Sequence, residues 1–166
     1  MSQETAEGKS TEQYRLIVES IPHMVWVSRP DGAAEYWNGQ FRDYTGASLP
    51  EVLGSGWRSF IHSDDLPATL REWDRSLGSG ESYYGEQRIR RADGTYRWHG
   101  TRAVPLRDGQ GRIVRWLGTC TDIEERKSAE EALRASEERF RAIIEKSFDA
   151  VVLQAADGTL LYGTPS

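Results

Sequence analysis

Three strand-length segments separated by two Asp-Gly turns most restrict how this chain can fold. The segments cover residues 83–91, 95–106 and 112–120, and the turns are Asp93-Gly94 and Asp108-Gly109. Asp-Gly pairs favour tight hairpin turns, because Gly accepts a positive φ and Asp bonds to its own backbone. The pattern therefore predicts a three-stranded antiparallel meander.

A shorter hairpin and a helical block precede the meander. Strand-like runs at residues 24–28 and 33–37 flank a Pro-Asp-Gly turn, and a helix is predicted over residues 11–20. Several short helices are predicted between residues 38 and 80, with Gly residues at their ends. Strands that enclose a helical block indicate an α+β protein with an antiparallel sheet.

Polar residues mark the expected starts of these helices. Asn38 is predicted to cap the first one, and Ser48 with Glu51 has the spacing of a capping box. The run His62-Ser63-Asp64-Asp65 has the residue types of a metal site, but it also matches a helix start in which Ser or Asp accepts backbone N–H bonds. We expect the helix start and no metal site.

The C-terminal end of the chain repeats its N-terminal end. A shift of 126 positions carries Ser10 onto Ser136 and aligns Asp31-Gly32 with Asp157-Gly158. Both stretches predict a helix, a strand, a turn and a second strand, so the period is that of tandem domains rather than of a solenoid. We expect a piece of a longer protein, or the product of a gene that ends early.

The composition excludes several classes of protein. The 166 residues carry a net charge of −5, whereas a duplex nucleic-acid binder usually has a basic surplus. Cys120 is the single cysteine, so no internal disulfide is expected and a reducing, cytoplasmic setting is the default. No apolar run is long enough for a transmembrane helix. We expect contact with neither nucleic acid nor membrane.

Three sequence stretches share a family likeness. The first is Asn-Gly-Gln-Phe at residues 38–41 with Tyr-Thr-Gly at 44–46, and the second is Trp57 with the His-Ser-Asp-Asp run. The third covers residues 90–98 and 111–119 and ends in Asp122-Ile123. Jointly they resemble the PAS domain with its C-terminal PAC motif, of the PAS-fold 3 type, as found in bacterial sensor histidine kinases.

The resemblance implies a PAS fold with a five-stranded antiparallel sheet in the order 2-1-5-4-3. Short helices would cover one face, and an N-terminal helix and a C-terminal linker helix would flank the domain. The chain would then comprise a disordered N-terminus at residues 1–10, a PAS/PAC domain at 11–122, a helical linker at 123–147 and the incomplete start of a second PAS domain at 148–166.

Domains of this family hold ligands or cofactors between the sheet and the helices. Gln87 is predicted to share the inner face of its strand with Gly85 and Ile89, where a buried amide needs hydrogen-bond partners. A ligand or water could supply them, and so could neighbouring backbone or a shifted register. The expected pocket residues are Trp26, Phe41, Tyr44, Trp57, Trp73, Gln87, Trp98 and Trp116.

We expect no cofactor, but the sequence is compatible with a small ligand. By resemblance to oxygen sensors, haem would need an axial His on the long helix, and residues 65–77 contain none. A covalent flavin would need a Cys in the helical block, and residues 38–80 contain none. A flavin held non-covalently by Trp side chains and amides is compatible with the sequence.

The family passes its signal through the helix that follows the last strand. We therefore expect a signal exit at Thr121, Asp122 and Ile123, with Asp122 capping the first turn of that helix. The usual exit motif of the family is Asp-Ile-Thr, and here Glu124 takes its third place.

The predicted linker helix carries a short, imperfect heptad seam. Leu133 and Phe140 fall at a positions and Ile143 falls at a d position. Two such helices can pair through these side chains, so we expect a homodimer with this dimer seam. An ordinary amphipathic linker helix is the alternative.

Together these features predict the sensory and dimerisation module of a bacterial signalling protein, namely the PAS region of a sensor histidine kinase with a downstream kinase or other output domain. The chain itself is not expected to be an enzyme: His23, His62 and His99 lie outside a dimerising helix, and no Gly-rich ATP motif is present. The alternatives are a ligand-free structural interaction module, a non-covalent flavin redox sensor and a small α+β enzyme.

Overall fold

The computed structural model describes Glu12, residues 15–146 and residues 152–163. The chain divides into two compact units, the first ending at Glu124 and the second beginning at Glu125. The predictions for residues 1–10, and those for residues 147–151 and 164–166, lie outside the described residues.

The first unit is built from one sheet and a set of short helices. The helix predicted near the N-terminus is present at residues 15–20 and is named α1. The elements that follow are β1 (Met24–Ser28), β2 (Ala34–Trp37), α2 (Gly39–Thr45), α3 (Leu49–Val52), a 3₁₀ helix (Gly56–Phe60), α4 (Leu66–Ser79), β3 (Tyr83–Arg90), β4 (Tyr96–Arg107) and β5 (Ile113–Asp122).

The five strands form one antiparallel sheet in the order β2-β1-β5-β4-β3. This confirms the fold class, the strand order and the meander of β3, β4 and β5. The β4–β5 pair places Thr101 opposite Cys120 and His99 opposite Asp122, so the inner face of the sheet continues to the end of its last strand.

Two of the predicted turns form for the predicted reason, whereas in the β4–β5 turn Gly111, with φ 79, takes the left-handed conformation expected of Gly109. Oδ1 of Asp31 accepts the backbone N–H of Ala33 at 3.0 Å, and Oδ1 of Asp93 accepts that of Thr95 at 2.9 Å. Each turn then passes through a glycine with φ 85, the left-handed conformation that residues with a Cβ rarely adopt. The two turns therefore have the same local construction.

Trp73 of α4 lies at the centre of the core between the helices and the sheet. Its ring makes edge-on contacts with Trp26, Trp116 and Tyr83, with ring centroids 5.5, 5.2 and 5.4 Å apart. Such edge-to-face pairs contribute about 0.5–1.5 kcal/mol each beyond the area that they bury. These contacts fix α4 against three different strands.

Two residues predicted as helix caps bind elsewhere. Asn38 makes no cap bond; its Oδ1 accepts the N–H of Val25 at 3.0 Å, and its Nδ2 donates to the carbonyl of His23 at 2.9 Å. Asp65 likewise makes no cap bond, because its carboxylate binds Arg88. In both cases a partner distant in sequence takes the side chain that the local pattern assigns to a cap.

The capping box is present where it was predicted. Oε2 of Glu51 accepts the backbone N–H of Ser48 at 2.7 Å and also its hydroxyl at 2.6 Å. These bonds fix the start of α3.

The second unit contains a helix and a hairpin. Helix α5 spans Glu124–Lys146 and thus begins at the last residue of the first unit, and the hairpin consists of β6 (Val152–Gln154) and β7 (Leu160–Gly163). Among the described residues, no helix has the length and apolar character needed to span a membrane.

The β6–β7 hairpin reproduces the β1–β2 hairpin. Trp26 pairs with Trp37, and at the equivalent positions Val152 pairs with Gly163; in both hairpins the register then shifts at the corresponding residue. The β6–β7 turn also has its own Asp, whose Oδ1 accepts the N–H of Thr159 at 2.9 Å. The likeness seen in the sequence therefore extends to the pairing of individual residues.

Candidate functional site

A cavity lies within the first unit, between the sheet and the helices. About 40 Å³ of its interior is open to water-sized molecules, within about 540 Å³ of unfilled space that includes its mouth. The lining residues come from β1 to β5 and from the helical block, and they are Trp26, Ser28, Gly32, Ala34, Trp37, Phe41, Trp57, Phe60, Ile61, Thr69, Trp73, Tyr83, Gln87, Ile89, Thr101 and Cys120. None of these side chains is an acid or a base that is charged near neutral pH, and only Tyr83 and Cys120 among them can titrate.

Trp57 stands at the mouth of the cavity. Of the lining residues just named, it alone is partly exposed, and the others are buried. It lies on the short 3₁₀ helix, and the guanidinium carbon of Arg58 is 5.8 Å from its ring centroid.

A chain of polar side chains crosses the inner face of the sheet beside the cavity. Nε2 of Gln87 donates to Oγ1 of Thr101 at 2.7 Å, and that hydroxyl donates to Sγ of Cys120 at 3.2 Å. Burial raises the pKa of the Cys120 thiol to about 11, so it stays protonated near neutral pH. Three neighbouring strands, β3, β4 and β5, are thus joined by side-chain hydrogen bonds.

Four buried polar atoms of the cavity lining have no protein partner among the described residues: Nε1 of Trp26, Nε1 of Trp37, Oε1 of Gln87 and the hydroxyl of Tyr83. The last two lie on the same strand, β3, and each of their residues is only 3% exposed. Burial raises the pKa of Tyr83 well above its usual range, so its hydroxyl remains a hydrogen-bond donor. A buried polar atom without a partner costs free energy, so water or a ligand that bonds to these atoms would stabilise the protein.

Gly85 brings these two atoms close together. A Cβ at this position would lie 3.4 Å from Oε1 of Gln87 and would collide with the hydroxyl of Tyr83. The hydroxyl and the amide oxygen therefore flank one point on the inner face of β3. The predicted inward orientation of Gln87 is present, and a side chain of a neighbouring strand, rather than backbone, binds its nitrogen.

The structure brings five of the eight expected pocket residues together around the cavity: Trp26, Phe41, Trp57, Trp73 and Gln87. The other three lie elsewhere. Trp98 alternates with the inward-facing His99 and thus lies on the opposite face of β4, where Arg88 covers its ring at 5.2 Å. Trp116 is fully buried against Trp73, and Tyr44 packs on His99 at 5.0 Å.

Several lining residues were missed by the sequence analysis. Trp37, Phe60 and Tyr83 are aromatic residues on predicted strands and helices, and nothing in the local pattern separates them from ordinary core residues. Thr101 and Cys120 could have been found, because alternation along β4 and β5 places them on the inner face with Ala103 and Gly118.

The end of β5 forms a compact polar junction. Oδ1 of Asp122 accepts the N–H of Glu124, the first residue of α5, at 2.9 Å, and Oδ2 of Asp122 lies 3.0 Å from Nε of Arg97. Oε2 of Glu124 accepts the N–H of Trp98 at 2.8 Å, and the carbonyl of Trp98 accepts the N–H of Ile123 at 2.9 Å. Glu124 stands where the family's usual Asp-Ile-Thr motif has its threonine, and its carboxylate thus links the start of α5 to β4.

This junction lies on the same strands as the cavity. Cys120 lines the cavity and Asp122 follows two residues later on the same side of β5, while Thr101 and His99 have the matching relation on β4. His99 is 1% exposed, and burial lowers its pKa, which favours the neutral imidazole. Nδ1 of His99 lies 3.0 Å from the carbonyl of Arg97.

The predicted dimer seam lies on α5. Leu133 is 62% exposed, Phe140 is 52% exposed and Ile143 is 64% exposed, whereas the adjacent Ile144 is buried within the second unit. A row of large apolar side chains on a charged helix is a feature that a partner could cover.

The His-Ser-Asp-Asp run leads directly into α4, which begins at Leu66. Within the part of the chain that the structure describes, no group of three or more His, Cys, Asp or Glu side chains is placed to hold a metal ion. Burial alone would raise the pKa of Asp65, but hydrogen bonds from the side chain and backbone of Arg88 lower it below its usual value. The Oδ1 and Oδ2 atoms of Asp65 lie 2.8 and 2.9 Å from Nη2 and Nε of Arg88, so this pair joins the start of α4 to β3.

Comparison with known proteins identifies a family and several relatives. The model of the PAS fold family matches residues 34–120. The uncharacterized protein y4lL of Sinorhizobium fredii is 40% identical over 140 residues, and the peroxide stress-activated histidine kinase mak1 of Schizosaccharomyces pombe is 35% identical over 155 residues. These matches cover 84% and 89% of this chain but only 17% and 9% of the two relatives, so the chain spans less than a fifth of either protein.

Solved structures with the same fold include a sensory box histidine kinase/response regulator from Burkholderia thailandensis. It superposes with a TM-score of 0.60 at 28% identity and covers 78% of this chain and 98% of that chain. A Light-Oxygen-Voltage domain studied with a flavin analogue superposes with a TM-score of 0.56 at 26% identity, covering 84% of this chain and 98% of that chain.

A flavin does not fit the cavity as its side chains are arranged here. The rings of Trp37 and Phe41 are in contact, with centroids 3.9 Å apart and planes tilted by 34°, and Trp26 contacts both Trp37 and Trp73, at 5.9 and 5.5 Å. Pockets for drug-sized ligands occupy about 300–1,000 Å³, far more than the 40 Å³ or so that is open inside this cavity. A three-ring cofactor would therefore need these aromatic side chains to move apart.

Proposed function

Since the chain belongs to the PAS fold family, we propose that it is the sensory and dimerisation module of a larger signalling protein, in which the state of the cavity is relayed to α5. The PAS fold is a sensory fold rather than a catalytic one. The similarity to histidine kinases supports a sensor histidine kinase as the parent protein and a kinase as its output domain.

One observation carries this proposal: the cavity and the start of α5 share the final residues of β5. Cys120 lines the cavity and is hydrogen-bonded through Thr101 to Gln87. Asp122, two residues further along, bonds to the first residue of α5 and pairs with Arg97. A small shift of β5 would therefore change both sets of contacts.

The proposed mechanism is a shift between two populations. A ligand that changes the hydrogen bonds of Gln87 and Thr101 favours one position of the end of β5 over the other. Asp122 and Glu124 then hold the first turn of α5 differently. No bond is made or broken, so the module needs only a difference in affinity between the two states.

Dimerisation belongs to the same proposal. Leu133, Phe140 and Ile143 of one α5 would pack against those of a second copy, burying side chains that are more than half exposed in the single chain. When two α5 helices are paired in this way, a change in how each domain holds the first turn of its α5 rotates or tilts the helix pair.

We also propose that the second unit contains the start of a second PAS domain. Its support is the hairpin β6–β7, which repeats β1–β2 in pairing, register shift and turn geometry. The domain boundaries would then be residues 11–122, 123–147 and 148–166, with α5 as the linker between two tandem copies.

The experiment that tests sensing is a native mass spectrum and an absorption spectrum of protein purified without denaturant. A bound small molecule is expected to add mass without visible absorbance, and to be released on unfolding. Visible flavin absorbance would favour the redox-sensor alternative. Protein with no added mass that also binds none of the compounds tested below would favour a structural interaction module.

A further inference from the structure

We propose that the cavity binds a small, uncharged, planar ring that carries an N–H group beside a carbonyl oxygen, that is, a cyclic amide. This inference rests on the proposed function, because it names the class of ligand that the sensory cavity takes. Its basis is the pair of unpartnered atoms that Gln87 and Tyr83 place on either side of Gly85.

The lining requires an uncharged ligand. No Asp, Glu, Lys or Arg lines the cavity among the described residues, so a charged ligand would lose its hydration without gaining an ionic partner. A cation could in principle use aromatic faces instead. However, the rings of Trp37 and Phe41 stack on each other, and Trp73 contacts Trp26 edge-on, so these rings satisfy one another rather than forming an open cage.

The two unpartnered atoms on β3 define the paired hydrogen bonds of the ligand, while Nε1 of Trp26 and Nε1 of Trp37 can donate to other acceptor atoms of the ring. Oε1 of Gln87 can only accept, and its amide nitrogen is already committed to Thr101. The Tyr83 hydroxyl stays protonated and is free to donate. A molecule with a donor N–H next to an acceptor C=O can satisfy both atoms at once, because they flank the same point beside Gly85.

The shape of the cavity limits the ligand to about one ring. The interior is small, and the stacked and edge-on aromatic side chains around it favour a flat molecule over a branched one. Without a hydrogen-bonding ligand, only water that enters the cavity could satisfy both atoms at Gly85, and ordering that water costs free energy.

The test uses the full chain and four compounds followed by proton–nitrogen NMR. Uracil supplies a planar ring with adjacent N–H and C=O groups, and 1,3-dimethyluracil has the same ring without the N–H donors. Toluene offers a ring with no polar group, and tetramethylammonium offers a cation. We expect uracil to shift the side-chain amide signal of Gln87 and the indole signals of Trp37 and Trp57, and to bind more tightly than the other three.

Two variants and a matched control assign the contacts. Gln87→Leu and Tyr83→Phe each remove one hydrogen bond to the ligand, so each should weaken uracil binding by about tenfold. Gln40→Leu makes the same change at an exposed position of α2 and should leave the affinity unaltered. Tyr83→Phe keeps the ring that packs on Trp73, so it tests the hydrogen bond even if Gln87→Leu does not fold.

The outcomes separate the ligand class from the proposed function. Toluene or tetramethylammonium binding as tightly as uracil, or uracil binding equally well to both variants, would overturn the cyclic amide and leave ligand sensing intact. If uracil fails to bind while the purified protein carries a different small molecule, the cyclic amide is likewise overturned and ligand sensing stays intact. Failure of all four compounds, with no molecule carried by the purified protein, would overturn both the ligand class and ligand sensing.

Discussion

Trp26 of β1 lies directly opposite Gly118 of β5, and its indole occupies the space that a side chain at position 118 would need. A Cβ at Gly118 would overlap the Cε2 and Cζ2 atoms of that ring. The glycine therefore allows a large aromatic side chain to lie against the centre of the sheet, where it forms one wall of the cavity. The shape of the cavity thus depends on a residue that contributes no side chain to it.

Gly118→Ala should destabilise the domain by about 1–3 kcal/mol, because the new methyl group displaces the Trp26 ring from a packed core. Urea unfolding followed by Trp fluorescence measures this change. Gly78→Ala is the control: a Cβ there meets no atom within 4 Å, and an Ala near the end of α4 should stabilise by about 0.5 kcal/mol. Equal effects of the two substitutions would show that Trp26 does not require the glycine.

Asp65→Asn should destabilise the domain by about 1–3 kcal/mol at neutral pH, since it removes a charge-assisted pair with Arg88. The folded protein lowers the pKa of Asp65, so its carboxylate stabilises the fold above its ordinary pKa of about 4 and loses this effect as pH falls through the lowered value. The difference between wild type and variant should therefore shrink below about pH 4.

Asp64→Asn is the matched control for this pH series. The Asp64 carboxylate is 72% exposed and lies 3.6 Å from Arg88, so its removal should change the free energy of unfolding little at any pH. A wild-type advantage over Asp65→Asn that persists undiminished at pH 3 would contradict the ionic origin of the effect.

Tyr83→Phe should raise the free energy of unfolding of the ligand-free protein by about 1 kcal/mol, because it removes a buried hydroxyl that lacks a protein partner. The neighbouring Tyr84→Phe removes an exposed hydrogen bond to Glu86 and should have little effect. Chemical denaturation of both variants gives the comparison. Destabilisation by Tyr83→Phe would mean that the hydroxyl is already satisfied within the protein.

The dimer should depend on the apolar seam of α5. Leu133→Glu combined with Phe140→Glu places like charges where two helices would meet, and the protein should then be monomeric. Ser128→Glu with Ala135→Glu adds two charges at heptad positions away from the seam and should leave the dimer intact. Sedimentation equilibrium distinguishes the masses, and a seam variant with the mass of a wild-type dimer would disprove this role for α5.

Much of the fold follows from short-range pattern and family likeness. The period of two along β3 places Gln87 on the inner face, and the Asp- and Gly-rich turns at residues 93–94 and 108–111 fix the meander, because both are set by neighbouring residues. The motif that ends β5 also identifies Asp122 as the residue at which the chain leaves the sheet and enters α5. These features do not depend on which distant segment packs against them.

The errors arise where tertiary contacts compete with local ones. Asn38 and Asp65 have the residue types of helix caps, yet Val25 and Arg88, distant in sequence, bind their side chains instead. Aromatic content alone likewise could not show that Trp98 lies on the outer face of β4, since that depends on the register with β3 and β5. The unpartnered pair at Gly85 is visible only once the ring of Tyr83 is placed.

Asp122→Ala should cost about 1 kcal/mol of stability through loss of its bond to the helix start. Asp108→Ala, which removes a comparable aspartate from the β4–β5 turn and its pair with Arg112, is the control for general destabilisation. In a fusion of residues 1–147 to a histidine kinase core, Asp122→Ala should change the autophosphorylation rate by about fivefold or more, and Asp108→Ala should not.

The most direct test of the account is a double-mutant cycle between the cavity and the exit, measured as autophosphorylation of this fusion. Gln87→Leu should alter the rate when Asp122 is present and should have little further effect in the Asp122→Ala background, while Gln40→Leu should change neither rate. This strong coupling is the predicted result. Additive effects of Gln87→Leu and Asp122→Ala, or a rate insensitive to Gln87→Leu, would contradict a signal route from the cavity through the end of β5.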